Sequence, residues 1–406
     1  MRERLLNVPA KEPAATRIAT GAEAIEIASQ LARELTPGAA DRDRAGKAPK
    51  AELTRLAHSG LLGITIPKSY GGAEIGHETL AQVFCHLAAG DPAVAQIPQN
   101  HFVFIEVLKL DGTEAQKRFF FDAILRGARF GNALSERHTK NSMEFETRVV
   151  RQPDGNFLLN GTKYYCTGAL TATFIPVFAL DEAGRLMVAY VDRHADGVEV
   201  EEDWHAMGQR ATVSGTTRLK NVLLPADRIV AHGHRYEKPQ IFGAFGQLLH
   251  AAIDVGIARN ALDDAAAFVR THARPWFESG YETAAREPHI IQQFGRLGVK
   301  LYAAEELLRK AGRLLDAAAR DLNAASAAEA SLAVASAKAF GGDVAVEIAN
   351  ELFSLSGTRA ADLRYGLDRH WRNARTHTLH DPNRWKYQYV GNFILNDVPP
   401  PNHGLV

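Results

Sequence analysis

The feature that most constrains this chain is a double change of hydrophobic period. Up to about residue 127, apolar residues recur at three- and four-residue spacing, as in AEAIEIASQLARELTPG and HETLAQVFCHLAAGD, which is the pattern of amphipathic helices. Around Gly131 the period shortens to two. ETRVVRQ, NFLLN, TKYYCT, IPVFAL, RLMVAYV, VEVEED and TTRLKNVLLP then read as successive antiparallel strands, with hairpin signals at Asp154-Gly155 and Asn160-Gly161. After Pro225 the alternation ends, and from about Gly243 to Asp381 the helical period returns in four long stretches, broken near Arg274-Pro275, Glu287-Pro288 and residues 322–324. Six to eight strands suffice for a small barrel or sandwich, and long helices with short connections argue for an antiparallel bundle. The expected fold is α+β: an N-terminal helical domain over 1–128, a central antiparallel β-barrel domain over 129–237, a C-terminal four-helix bundle over 238–396 and an extended tail over 397–406.

Composition removes several classes of function. The chain has 406 residues with 47 acidic and 47 basic side chains, so there is no electrostatic reason to expect nucleic acid or an anionic membrane as partner. Two cysteines, Cys85 and Cys166, are too few for a disulfide scaffold and fit no metal-ligand spacing. They read as packing residues in a reducing cytoplasm. The opening MRERLLNVPAKEP lacks the apolar core of a signal peptide, and no apolar run reaches transmembrane length.

Two stretches carry the polar chemistry. RHWRNARTHTLHDPNRWK at 369–386 places four arginines, a lysine and three histidines at the end of an Ala-rich helical region. Pro382 disfavours helix at Asp381, so His380 and Asp381 should sit at or just past a helix C-terminus. Cations there offset the helix dipole, which explains the arginines better than the histidines. Being adjacent residues, His380 and Asp381 are not expected to point into one pocket. In the apolar segment around 92–110, Gln96, Gln99, Asn100 and His101 form a cluster of uncharged hydrogen-bonding groups. They either satisfy neighbouring backbone or line a pocket.

Several strings together resemble the acyl-CoA dehydrogenase superfamily over roughly 22–390. They are ALSE at 133–136, NGTKYYCTG at 160–168, MGQRATVSGTTRLKNVLLPADRI at 207–229, GIARNALDDA at 256–265 and RPWF at 274–277. The resemblance implies a flavin held by Leu134, Ser135, Tyr165, Thr167 and Ser214, with Thr167 beside flavin N5. It also implies Arg274 and Phe277 reaching a neighbouring subunit's flavin in a homotetramer.

The departures from the dehydrogenases point to the flavin-dependent monooxygenase branch of that superfamily. ERHTKNS at 136–142 replaces the CoA-binding serine string, and His380-Asp381-Pro382 stands where Tyr-Glu-Gly would carry the catalytic glutamate. Ser354 and Leu355 replace two glycines that would let a diphosphate approach the backbone, which favours FMN over FAD. The strings at 96–101, 129–136, 165–170 and 368–386 resemble most nearly the bacterial sulfur-acquisition oxidoreductases, similar to dibenzothiophene monooxygenase. By that resemblance His101, Thr167 and His380 line the active site. Reduced flavin and O2, through a C4a-hydroperoxide, would oxygenate a small organosulfur substrate. No nicotinamide-binding glycine motif is visible, so a separate NAD(P)H-dependent flavin reductase is the implied partner. The other classes are an acyl-CoA dehydrogenase with Asp381 as base, and a non-catalytic flavin-fold protein.

Overall fold

A computed structural model describes residues 15–406. The opening segment read above for a signal peptide lies outside the described residues. Helices α1 Gly21–Leu35, α2 Ala39–Ala45, α3 Lys50–His58, α4 His77–Gly90, α5 Pro92–Gln96, α6 Gln99–Asp111 and α7 Glu114–Leu125 come first. Their starts follow from local chemistry. The Thr20 side chain accepts the Glu23 N–H, and Thr113 and Gln116 cap each other reciprocally, filling donors that a helix start leaves open.

Seven strands follow: β1 Arg148–Arg151, β2 Phe157–Lys163, β3 Phe174–Leu180, β4 Leu186–Asp192, β5 Val198–Val200, β6 Thr217–Leu224 and β7 Ile229–Ala231. They make one sheet in the order β5-β6-β2-β1-β3-β4-β7. The sheet is mixed, because β1 and β3 are joined in parallel where all-antiparallel pairing was expected. The Asp154-Gly155 turn does link β1 to β2, but Asn160-Gly161 is no hairpin. Strand β2 runs straight through it with a register shift against β6. Asn160 Oδ1 accepts the Asn221 N–H at 2.8 Å, and a Cβ on Gly161 would lie 2.2 Å from the Thr147 hydroxyl. A bulge with close packing thus uses the residues that elsewhere make a tight turn.

The four long stretches read from the sequence become three long helices, α8 Phe242–Thr271, α9 Pro288–Arg320 and α10 Ala324–Ser356. Residues 272–287 form a loop with one short turn, since Pro275 and Gly280 interrupt the helical period. The shorter α11 Asp368–His377 and α12 Asn383–Asn396 complete the unit. Among the described residues no helix is long and apolar enough to cross a membrane.

One core of buried side chains is continuous from the first helices into α8, α9 and α10. A second lies in the sheet around Val149, Leu159, Ile175, Val177 and Val222. Between sheet and helices, Phe120, Phe130, Phe174 and Tyr190 meet ring to ring, and the Tyr190 hydroxyl donates to Phe104 O at 2.9 Å. Each such side chain contributes roughly 1.5–3 kcal/mol by burial. The three units are therefore held in one register, and their junction is where the polar residues collect.

Candidate active site

Helix α11 carries the site because it touches all three units. The Arg372 guanidinium binds Asp43 of α2 at 2.6 Å and donates to Met207 O at 2.9 Å. Asn373 Oδ1 accepts the Gln209 N–H at 2.6 Å. Gly208 lies so close beneath that a Cβ there would be 2.0 Å from Arg372 O, a contact that only glycine allows. These bonds fix the loop at 207–216 against α11.

The chain leaves α11 after His377 and turns before Pro382, the N-cap of α12. That turn holds His380 and Asp381. Contrary to the sequence expectation, they meet: His380 Nδ1 lies 2.8 Å from Asp381 Oδ2. Asp381 Oδ2 also accepts from Gln247 Nε2 at 2.9 Å. Burial works to raise the Asp381 carboxyl, but the adjacent His380, with His250 and Lys386, outweighs it and holds the group well below the usual carboxylate range. The carboxylate is an acceptor only, so His380 Nδ1 carries the hydrogen. The His380 side chain is 43% exposed while Asp381 is buried, and the His380 ring lies over that of His250, centroids 4.1 Å apart.

The flavin-contacting residues implied by resemblance assemble on the β unit. Cys166 N–H donates to Gly215 O at 3.1 Å, which aligns Thr167 with Ser214. Their hydroxyls are 2.7 Å apart, and Ser214 continues to the Thr212 hydroxyl at 2.8 Å. Leu134 and Ser135 are pinned alongside. Buried Lys163 donates to Leu134 O at 2.9 Å and Glu136 Oε1 at 2.7 Å, while Tyr164 N–H donates to Ser135 O at 2.8 Å. Desolvation pulls the Lys163 ammonium down to about 8 despite Glu136. Three non-glycine residues here have left-handed backbone: Tyr165 at φ +57°, Gln209 at +51° and Val213 at +46°. Such conformations cost on the order of 1–3 kcal/mol each and cluster at functional sites.

The segment 96–101 joins the two groups. Gln96 reaches His377 Nε2 at 3.0 Å, Ile97 packs against Gly168 beside Thr167, and Gln99 donates to Gly246 O at 3.2 Å. His101 is committed to backbone on both sides. Its Nδ1 accepts the Phe130 N–H at 3.0 Å, so Nε2 donates to Leu62 O at 3.0 Å. Burial pushes it down to about 4. It sits beneath the site as a neutral clamp with no nitrogen left for a substrate. This corrects the expectation that His101 meets substrate.

Arg274 and Phe277 are not brought to this group within one chain. They lie on the exposed 272–287 loop, where Phe277 is 80% exposed and its ring meets that of Trp276 at a tilt of 52°. Cys85 and Cys166 are unpaired, and burial pushes both thiols up to about 12; they pack rather than react. The residues that sequence reading missed are Gln209, Gln247, His250, Asp254 and Lys338. A signal was available for two of them: His250 and Asp254 stand four apart in an otherwise apolar stretch of α8.

A flavin ring needs donors and acceptors at one edge and flat apolar walls on its faces. The residues present fit that need. Both amide atoms of Gln209 and the Oε1 of Gln247 are buried without a partner among the described residues, beside the Thr167–Ser214–Thr212 hydroxyl chain and the His380 turn respectively. Tyr165, half exposed with its ring 5.9 Å from that of Trp204, offers a flat face beside them.

Three family models match the chain in order: the acyl-CoA dehydrogenase N-terminal domain over 25–128, middle domain over 132–222 and C-terminal domain over 248–385. The chain is 31% identical to a dibenzothiophene monooxygenase of Rhodococcus erythropolis over 97% of its length and 98% of that protein. It is 32% identical to the probable FMNH2-dependent monooxygenase SfnC of Pseudomonas putida, covering 93% and 96%. Its fold superposes on FMN-bound TdsC from Paenibacillus sp. A11-2 with a TM-score of 0.90 at 30% identity, covering 94% of this chain and 100% of that one.

Proposed function

Since this chain belongs to the acyl-CoA dehydrogenase family, among its flavin-dependent monooxygenases, we propose that it uses reduced FMN and O2 to oxygenate a small organosulfur compound. One observation carries the reading against dehydrogenation. Asp381, the carboxylate nearest the position of the dehydrogenase base, is buried, bonded to His380 and Gln247, and held far below the usual carboxylate range, first against burial and then by His380. Such a group is a poor acceptor for a substrate α-proton. What it does well is orient His380.

Leu134, Ser135, Tyr165, Thr167 and Ser214 would hold the flavin from its own subunit, with Arg274 and Phe277 reaching it from a neighbour. Bound reduced FMN supplies the two electrons that O2 requires. One oxygen atom joins the substrate and the other leaves as water. Thr167 Oγ1, held by Ser214, keeps a proton in place at the ring edge. His380, fixed through Nδ1 by Asp381, would act as the imidazolium, giving its Nε2 proton to the departing oxygen and regaining one from solvent. His101 supports this arrangement from below, joining Leu62 to Phe130.

The electrons come from a separate NAD(P)H-dependent flavin reductase, a reading supported by the FMNH2 dependence named for SfnC. FMN rather than FAD fits the last turn of α10, where Ser354 and Leu355 stand in place of the two glycines that a diphosphate would need, and Leu355 is buried in the core. The assembly is a homotetramer: Trp276, Phe277, Ile291, Val299 and Tyr302 are apolar and exposed on the 272–287 loop and α9, a patch that a second copy would cover. The unpaired thiols suit a reducing cytoplasm. The test is oxygen uptake with reduced FMN, scanned over dibenzothiophene, dimethyl sulfone, sulfides and acyl-CoAs. An oxygenated sulfur product supports the reading, and enoyl-CoA formation overturns it.

A further inference from the structure

Beneath His380 lies a second aspartate–histidine pair that the reaction above does not use. Asp254 on α8 and Lys338 on α10 form an ion pair at 2.7 Å, both side chains 0% exposed. The other Asp254 oxygen takes His377 Nδ1 at 2.5 Å. Anchoring α11 to the bundle accounts for these contacts but not for the far side of His377. There Nε2 lies 3.2 Å from Nδ1 of His250, whose ring is the surface on which His380 rests, tilted by 34°. The two pairs, Asp254–His377 and Asp381–His380, are thus joined through one buried histidine.

The groups of this chain are buried together. Burial works to raise Asp254, but Lys338 and then His377 outweigh it and hold the carboxyl below its ordinary range, so it accepts only. His377 therefore carries its hydrogen on Nδ1. Burial pushes the His377 ring down while Asp254 works to raise it. Its Nε2 faces two groups, the acceptor oxygen of the Gln96 amide at 3.0 Å and His250 Nδ1 at 3.2 Å. Burial first, and then the neighbouring His380 and His377, push His250 well below its ordinary range. Gln247, beside these rings, is taken up with Asp381.

Resting on the role given to His380 above, we propose that His250 is a positioning residue for oxygenation: its ring, held at one edge by the Asp254–His377 pair, is the platform that orients the imidazole of His380. A side chain 43% exposed in a turn has few other restraints. Asp381 fixes one atom of the ring, and the His250 face fixes its plane.

Two readouts need no organic substrate. Carbethoxylation of His380 by diethyl pyrocarbonate, mapped by peptide mass on the whole flavin-free protein, reads the freedom of that ring. Peroxide release from bound reduced FMN on mixing with O2 reads its effect. His250→Ala is expected to speed both, peroxide release by about ten-fold, while His250→Phe, which restores a flat face, returns them to within about two-fold of wild type. The paired change Asp254→Asn with Lys338→Met removes the buried charges together and preserves volume, and it should fall between. Reduced-FMN affinity stays at the wild-type level throughout. Wild-type rates in His250→Ala overturn the proposal. So does equal loss in His250→Ala and His250→Phe accompanied by lost FMN affinity, which would make His250 a scaffold residue. His380→Ala separates the layers: if it leaves peroxide release unchanged, the role of His380 fails first, and this proposal with it.

Discussion

Arg372 and Asp43 meet at 2.6 Å across 329 residues of chain, and with the Gln96–His377 contact this pair ties the first helical unit to the helix that ends in the His380 turn. The same guanidinium holds Met207 O, so the flavin-side loop is fastened by it too. Replacing Arg372 with Gln leaves Asp43 buried beside an uncharged partner. We expect a loss of about 2–4 kcal/mol of stability and weaker reduced-FMN binding, read by thermal denaturation and anaerobic titration. Unchanged values would show that α11 is held by other contacts.

Stability should depend on pH in an unusual window. His101 and His370 are pushed down to about 4 by burial, and His250 and His377 are lowered in the same way. The unfolded chain binds protons at these rings near pH 6.5, and the folded one does not. Stability is therefore fully present above about pH 6.5 and falls as pH drops toward about 4, each ring adding a slope of up to about 1.4 kcal/mol per pH unit. Denaturation midpoints at pH 7.5, 6 and 5 should show the decline, and His101→Gln should shallow it.

The Thr167 hydroxyl can be removed without changing shape. Thr167→Val keeps the branched side chain but breaks the chain to Ser214. Reduced FMN should still bind, while product per O2 falls roughly ten-fold or more in favour of peroxide. Thr167→Ser should retain most of the product. Equal product in the Val variant would remove Thr167 from the reaction.

The exposed loop offers a test of assembly. Phe277→Ser touches nothing that the single chain packs around, since that ring is 80% exposed. We expect an intact fold with weaker FMN binding and a smaller particle by light scattering. A stable wild-type monomer with full FMN affinity would contradict the shared site.

Much of this molecule was legible in the order of its residues. The change of period at Gly131 locates the strands, and the polar spacing at 369–386 locates the turn that holds His380. What misled was local chemistry with two uses. Asn160-Gly161 reads as a hairpin, but Thr147 packing decides for a bulge. His101 reads as an active-site histidine, but two backbone groups from distant positions claim its nitrogens. His250, Asp254 and Lys338 stand apart in the sequence because their partners lie on α8, α10 and α11, and only the packing of those helices brings the three together. Asp381 reads as a weaker candidate than His380 because side chains of adjacent residues in regular structure diverge, a rule that does not hold in the turn before Pro382.

His380→Ala separates capping from catalysis. A lost turn contact alone should cost on the order of 1 kcal/mol and leave turnover intact. Loss of a proton donor should lower product by about 100-fold or more, with the missing oxygen recovered as hydrogen peroxide.

The most direct measurement is isotope labelling. Wild-type protein with reduced FMN is supplied with 18O2 and offered dibenzothiophene and dimethyl sulfone in normal water. The account predicts an oxygenated product that carries one 18O atom per turnover, with the second atom in water. Oxygen taken from solvent, or O2 recovered wholly as peroxide while the sulfur compounds are returned unchanged, would contradict it.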